Sequence, residues 1–111
     1  MSRHPWEIEP TELAAGLAAE NPPLLIDCRL DEELAIARVE AALHVPMADV
    51  RSRLQELEEH SDRGIVVMCH HGVRSLQVVA FLREAGFEDV LSAAGGIDRW
   101  SLEIDGTIPR Y

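Results

Sequence analysis

The chain alternates short runs of apolar residues with amphipathic segments. Residues 65–68 are apolar throughout and residues 24–28 nearly so, which indicates strands buried on both faces, as in a parallel sheet. Shorter apolar stretches at residues 6–8, 43–45 and 89–92 predict three further strands. Because amphipathic segments separate these runs, the pattern predicts strands that are connected by helices.

The amphipathic segments have the spacing of helices. Pro10 suits the first position of a helix, and apolar side chains within residues 13–18 fall on one face of it. Residues 47–57 carry a second helical stripe, and Ser75 is a good N-cap for a third helix. This order predicts a three-layer α/β fold with a largely parallel five-stranded sheet flanked by helices. Since no repeat or linker divides the chain, residues 1–111 are expected to form a single domain.

Candidate chemistry follows the strand at residues 65–68. Cys69 comes at its carboxyl end, the edge where open α/β sheets bind ligands. The loop amides and the first turn of the next helix would direct N–H groups at the sulfur and favour a thiolate. Gly72 allows a sharp turn, and the planar fork of Arg74 suits an oxyanion such as sulfate, thiosulfate or phosphate. An inert core thiol at Cys69 would not need Gly and Arg at these positions.

The composition narrows the possible partners and location. The chain has 10 Lys and Arg against 20 Asp and Glu, and a net charge of −10 disfavours nucleic acid and anionic membrane as partners. No apolar run approaches the roughly 18 residues that would span a membrane. The first residues lack the apolar core of a signal peptide, and two cysteines are more consistent with free thiols than with a structural disulfide. We therefore expect a cytoplasmic protein.

Residues 69–75, Cys-His-His-Gly-Val-Arg-Ser, resemble the active loop of the rhodanese family, sulfurtransferases whose cysteine carries a persulfide. Four residues lie between Cys69 and Arg74. The related phosphatases with a catalytic cysteine have one more residue there and a wider pocket that admits phosphate. The shorter loop therefore resembles the sulfur-handling branch, and the resemblance extends over residues 6–102.

Two other segments carry the resemblance. The Asp-Cys-Arg of residues 27–29 resembles the family's Asp-Val-Arg element, whose charged residues help to hold the loops near the active site. Arg29 is either part of the site or one side of a surface ion pair, and Cys28 is better explained as a core thiol than as a second sulfur carrier. Residues 94–100 resemble the family's Gly-Gly-x-x-x-Trp element, whose glycines let the backbone pass beside the active loop. The family's Gly-His pair is absent from residues 37–38.

The resemblance implies sulfur transfer in two half-reactions. The thiolate of Cys69 attacks the outer sulfur of a small anionic donor such as thiosulfate, sulfite leaves, and a thiol or sulfur-carrier protein then takes the sulfur from the persulfide. No organic cofactor is implied. Besides the catalytic Cys69, the expected substrate-binding residues are the loop backbone and two arginines: His70, His71, Gly72, Val73, Arg74 and Arg29.

Other functions remain open at this point. The domain could be a persulfide carrier with little thiosulfate activity, or a catalytically silent binding module, although a silent module has no need of an intact cysteine loop. His70 and His71 either tune the thiolate or bind substrate, or else face solvent or cap the loop. A metal site is not expected, because three successive side chains beginning at Cys69 cannot easily converge on one tetrahedral ion.

Overall fold

Five parallel strands form one sheet in this computed structural model, which describes residues 4–111. The strand order is β1-β5-β4-β2-β3, and β4 lies at the centre. Their bounds are Glu7–Ile8 (β1), Leu24–Asp27 (β2), Leu43–His44 (β3), Ile65–Met68 (β4) and Val90–Ala93 (β5). All five lie within one residue or so of the predicted apolar runs, and the predicted α/β fold with a parallel sheet is confirmed.

Helices cover both faces of this sheet. Their bounds are Pro10–Leu17 (α1), Asp31–Ile36 (α2), Leu54–Glu58 (α3), Val73–Glu84 (α4) and Gly96–Glu103 (α5). Residues of α3 and α4 pack against Ile65 and Val67 of β4, whereas residues of α1 and α5 pack against Val66 and Met68, which point the opposite way. In the described part of the chain, none of the helices combines the length and the apolar character needed to cross a lipid bilayer.

The helical stripe at residues 47–57 is not one continuous helix as predicted. Two 3₁₀ turns, Met47–Asp49 and Arg51–Arg53, precede α3. The hydroxyl of Ser52 donates to the carbonyl of Asp49 at 2.9 Å, so a side chain competes for a backbone acceptor in this stretch. The stripe still identifies the buried face, because Val50 and Leu57 are fully buried.

Candidate active site

The sulfur of Cys69 lies at the carboxyl end of β4, enclosed by the loop that leads into α4. We refer to residues 69–74 as the cysteine loop. The Sγ atom accepts hydrogen bonds from the N–H of Gly72 at 3.1 Å and of Ser75 at 3.3 Å. Only 1% of the residue is exposed. Two backbone amides therefore point at one buried sulfur atom, an arrangement that stabilises negative charge there.

Ser75 is not the N-cap of α4, so this prediction is wrong. The helix begins at Val73, and its N-cap is Gly72, whose φ of 103° places it in the left-handed region that glycine tolerates. Because the helix starts earlier than expected, Ser75 lies in its first turn and faces inward. Its hydroxyl lies 3.3 Å from the Sγ of Cys69 and 2.7 Å from the hydroxyl of Ser92 on β5. Both hydroxyl groups are fully buried.

The start of α5 passes close beside the cysteine loop. The N–H of Ile97 donates to the carbonyl of Cys69 at 2.8 Å, and the N–H of Asp98 donates to the carbonyl of His70 at 3.1 Å. A Cβ atom on Gly96 would overlap both carbonyl oxygens, and the φ of this residue is +61°. The close approach expected at residues 94–100 is therefore present, and only glycine fits at residue 96 without moving the loop.

Arg74 is held by a carboxylate on α2. Its Nη1 and Nη2 atoms donate to the two carboxylate oxygens of Glu33 at 2.6 and 2.9 Å. The hydrogen bonds with Arg74 lower the pKa of Glu33 to about 2, and the pKa of Arg74 rises for the same reason. This bidentate ion pair joins the end of the cysteine loop to α2. Direct binding of a donor by Arg74 stays a prediction.

Arg29 is buried, and the interpretation of a surface ion pair is wrong. Its Nε lies 2.9 Å and its Nη2 2.7 Å from the carboxylate oxygens of Asp27, and Arg29 and Asp27 are exposed by only 0% and 1%. Burial alone would lower the pKa of Arg29, but hydrogen bonds to Asp27 and Tyr111 raise it on balance. The remaining donors reach the carbonyls of Glu33 and Ala37 and the hydroxyl of Tyr111. Since every N–H of the guanidinium has a protein acceptor, the contacts favour a structural role, and substrate binding by Arg29 stays a prediction.

The two histidines form a stack on the cysteine loop. The ring of His70 lies 3.9 Å from that of His71 and 3.8 Å from that of Tyr111, with which it is parallel to within 4°. Burial lowers the pKa of His70, and the neighbouring His71 contributes in the same direction. His71 is largely exposed, with its Nδ1 3.9 Å from a carboxylate oxygen of Asp98. Among residues 4–111, no three or more His, Cys, Asp and Glu side chains are arranged to hold a metal ion.

Cys28 is a second buried thiol in the same apolar cluster as Cys69. Burial raises its pKa to about 12, and the negative charges of Cys69 and Asp27 add to the effect. The thiol of Cys28 therefore stays protonated at neutral pH. This state agrees with its interpretation as a core thiol, because the thiolate is the reactive form.

A family model of the rhodanese-like domain matches residues 9–103. The chain belongs to the rhodanese-like domain family. It is 36% identical over 95 residues to a sulfurtransferase of Allochromatium vinosum, covering 86% of this chain and 87% of that protein. It is 31% identical over 94 residues to the thiosulfate sulfurtransferase GlpE of Actinobacillus succinogenes, covering 85% and 82%.

A solved structure gives the same result. The crystal structure of a rhodanese-like domain protein from Staphylococcus aureus superimposes with a TM-score of 0.79 at 28% identity, covering 95% of this chain and 97% of that chain. The family resemblance stated from the cysteine loop is therefore confirmed. The segments that carried this resemblance in the sequence were the cysteine loop, residues 27–29 and residues 94–100 of this rhodanese-like domain.

Three residues of the site were missed by the sequence reasoning. Ser75 lies beside Cys69 because α4 begins early, and its hydroxyl in turn contacts that of Ser92 on β5. A serine directly after Arg74 was the available signal for Ser75. The hydroxyl of Tyr111 donates to Glu33 at 2.7 Å and accepts from Arg29 at 2.7 Å, although the end of the chain carried no recognisable pattern. Such contacts depend on how distant segments come together in the fold.

The Arg74–Glu33 pair leads to a prediction for this rhodanese-like domain. We expect Arg74→Ala to lower kcat/KM with an anionic sulfur donor by on the order of tenfold or more, because two charge-assisted hydrogen bonds are lost. Arg74→Lys should recover only part of the lost kcat/KM, since a point charge does not replace the planar fork.

Glu33→Gln should also lower the rate if the pair holds the loop. Steady-state kinetics with Glu32→Gln, an exposed neighbour on α2, as control would measure these effects. Wild-type rates in all the variants would contradict any role for the pair.

Proposed function

We propose that this rhodanese-like domain is a single-domain sulfurtransferase. It moves sulfane sulfur from thiosulfate or a persulfide donor to a thiophilic acceptor, through a persulfide on Cys69. The observation that carries the proposal is the buried Cys69 sulfur, which accepts hydrogen bonds from the N–H of Gly72 in the cysteine loop and of Ser75 in the first turn of α4, with four residues between Cys69 and Arg74. The relatives named as sulfurtransferases support the reaction class, and GlpE supports thiosulfate as the donor.

In the first half-reaction, the thiolate of Cys69 attacks the outer sulfur of thiosulfate. A new sulfur–sulfur bond forms, the bond between the outer sulfur and the sulfonate breaks, and sulfite leaves with its electron pair. The product is an anionic persulfide on Cys69. The amides of Gly72 and Ser75 stabilise the attacking thiolate on Sγ; after the transfer Sγ is uncharged and the negative charge lies on the outer sulfur of the persulfide.

In the second half-reaction, an acceptor attacks the outer sulfur of the persulfide. The bond to Cys69 breaks, and Cys69 leaves as a thiolate, which the same two amides stabilise. Cyanide, a small thiol or a thiol of a carrier protein has the necessary nucleophilicity. We place the reaction in the cytoplasm, because a free Cys69 thiol is required, and both cysteines are free in the structure.

The proposal predicts sulfur transfer without phosphatase activity. Purified protein should convert thiosulfate and cyanide to sulfite and thiocyanate, with ping-pong kinetics, and should hydrolyse aryl phosphates negligibly. The physical reason is the size of the loop, which surrounds a single sulfur atom rather than a phosphate ester. Thiocyanate formation and release of an aryl alcohol would be measured side by side, with Cys69→Ser as control. Efficient phosphatase activity in a protein that forms no thiocyanate would refute the proposal.

A further inference from the structure

The last described residues run from α5 to the cysteine loop. The carbonyl of Ile108 accepts a hydrogen bond from the hydroxyl of Ser101 on α5, and Ile108 packs against the apolar cluster between α1, α5 and the sheet. Residues 109–111 then continue to the active-site edge, and we call them the strap. Arg110 of the strap donates to the carboxylate of Asp98 at 2.8 Å, beside His71.

Tyr111 contacts the cysteine loop at His70 and is connected to Arg74 through Glu33. Its ring lies flat on that of His70, the residue directly after Cys69, with 3.8 Å between the ring centroids. Its hydroxyl donates to Glu33, which in turn holds Arg74 at the far end of the loop. One aromatic side chain is therefore stacked on a residue of the cysteine loop and hydrogen-bonded to the carboxylate that holds Arg74 at the other end of that loop.

The contacts of Tyr111 belong to the active-site edge rather than to the hydrophobic core. Its ring stacks on His70, and its hydroxyl accepts a hydrogen bond from Arg29 and donates one to Glu33. The residue remains 37% exposed and is not a member of either buried apolar cluster. A side chain placed in this way can be removed without leaving a cavity in the core, so its contacts point to a role at the entrance to the site.

The low exposure of Cys69 agrees with a partly closed entrance to the site. Cys69 is only 1% exposed, and the Nε2 atom of His70, whose ring stacks on that of Tyr111, is buried without a hydrogen-bond partner in the described part of the chain. A buried polar atom without a partner is costly, and opening the strap would let water or a donor reach it. Arg110, the other strap contact, is 55% exposed at its side chain, so this ion pair contributes little to keeping the strap closed.

We propose that Tyr111 determines which sulfur donors reach Cys69, by closing one side of the entrance so that a small anion such as thiosulfate is favoured over a bulky persulfide. This inference rests on the proposed sulfur transfer. A dianion of a few atoms needs only a narrow opening above the sulfur. A donor whose persulfide is carried by a peptide must displace the ring from His70, and the lost stacking and hydrogen bonds lower its rate.

The test compares two donors in three variants. Thiosulfate and glutathione persulfide would each be used as donor with cyanide as acceptor, and kcat/KM measured for wild type, Tyr111→Ala, Tyr111→Phe and Leu102→Ala. Leu102 is an exposed apolar residue on α5 and serves as the control for loss of a large side chain. Tyr111→Ala should raise the ratio of kcat/KM with glutathione persulfide to kcat/KM with thiosulfate by about tenfold. This factor corresponds to the loss of one or two modest contacts.

The other variants separate the ring from its hydroxyl. Tyr111→Phe keeps the ring on His70 and loses only the two hydrogen bonds of the hydroxyl, so its ratio should lie between those of wild type and Tyr111→Ala. Leu102→Ala should keep the wild-type ratio. An unchanged ratio in Tyr111→Ala, or a parallel fall of both constants, would overturn the proposal, since a merely structural residue affects both donors alike. A Tyr111→Phe ratio equal to that of Tyr111→Ala would likewise overturn the assignment to the ring.

A second measurement does not depend on sulfur transfer. The rates at which iodoacetamide and the larger fluorescein maleimide alkylate Cys69 would be followed by peptide mass. Tyr111→Ala should accelerate alkylation of Cys69 by the maleimide about tenfold and alkylation by iodoacetamide much less, because the same contacts of the ring are lost. Equal acceleration of both reagents, or of neither, would overturn the inference. If wild type transfers sulfur from neither donor, the proposed function fails, and these alkylation rates alone decide the role of Tyr111.

Discussion

Incubation with thiosulfate should add one sulfur atom, about 32 Da, to the peptide that contains Cys69 and to no other peptide. Cys69→Ser should abolish this gain and reduce sulfur transfer to background, because the hydroxyl of serine cannot form a persulfide. The Sγ of Cys69 accepts the amides of Gly72 and Ser75. Peptide mass spectrometry under non-reducing conditions measures the gain directly.

Cys28→Ser is the matched control for this experiment. Cys28 is buried in the same cluster as Cys69, but its pKa is raised to about 12 by burial, so it remains a thiol at neutral pH. The variant should therefore keep the added sulfur on Cys69 and most of the activity. Sulfur found on the peptide of Cys28 in the wild-type protein would show that the nucleophile has been assigned to the wrong cysteine.

Gly96→Ala should have the second largest effect, although residue 96 touches no substrate in the proposed reaction. Its Cβ would overlap the carbonyl oxygens of Cys69 and His70, so the cysteine loop has to move away from α5. A displacement of about 1 Å in a catalytic group can cost on the order of 100-fold in rate. We expect kcat with thiosulfate to fall by roughly that factor, as measured by thiocyanate formation.

Substitutions of two further glycines are controls that distinguish steric overlap from backbone strain. Gly86 has a φ of +108° but no atom within 4 Å of its would-be Cβ, so Gly86→Ala has backbone strain without overlap. Gly106 has open space and no left-handed φ, and Gly106→Ala should behave as wild type. Gly86→Ala should lower thermal stability but keep the catalytic rate of the folded protein. If Gly96→Ala retained full kcat, the position of the loop against α5 would not matter for catalysis.

The sequence predicted those parts of the fold that depend on local pattern. Apolar runs identified β2 and β4, because strands buried on both faces have few polar residues to interrupt them. The end of β4 then placed Cys69 at the ligand-binding edge, and the glycines at residues 95–96 indicated a close backbone approach, which Gly96 makes. In each of these cases the signal lies within a few neighbouring residues.

Contacts between distant segments were not predictable in the same way. For Arg29 the sequence left a role in the site and a surface ion pair both open, because its neighbours in the chain say nothing of α2 and the strap, whose groups accept hydrogen bonds from the buried guanidinium. Glu33 follows Arg29 by four residues, yet its carboxylate pairs with Arg74 and Tyr111, 41 and 78 residues away. Ser75 was misread as a cap because a left-handed glycine began the helix earlier. These features follow from packing, which a single sequence does not display.

The ion pair between Arg74 and Glu33 has a consequence for how an anion approaches the protein. The pair is neutral as a whole, and the chain carries a net charge of −10, so no long-range positive field draws an anion in from solution. Attraction comes instead from backbone dipoles around Cys69, which act over a few ångströms. In the proposed reaction, capture of an anionic donor therefore depends on close-range fit rather than on electrostatic steering, and dissolved salt, which screens the repulsion from the acidic surface, helps the anion to approach.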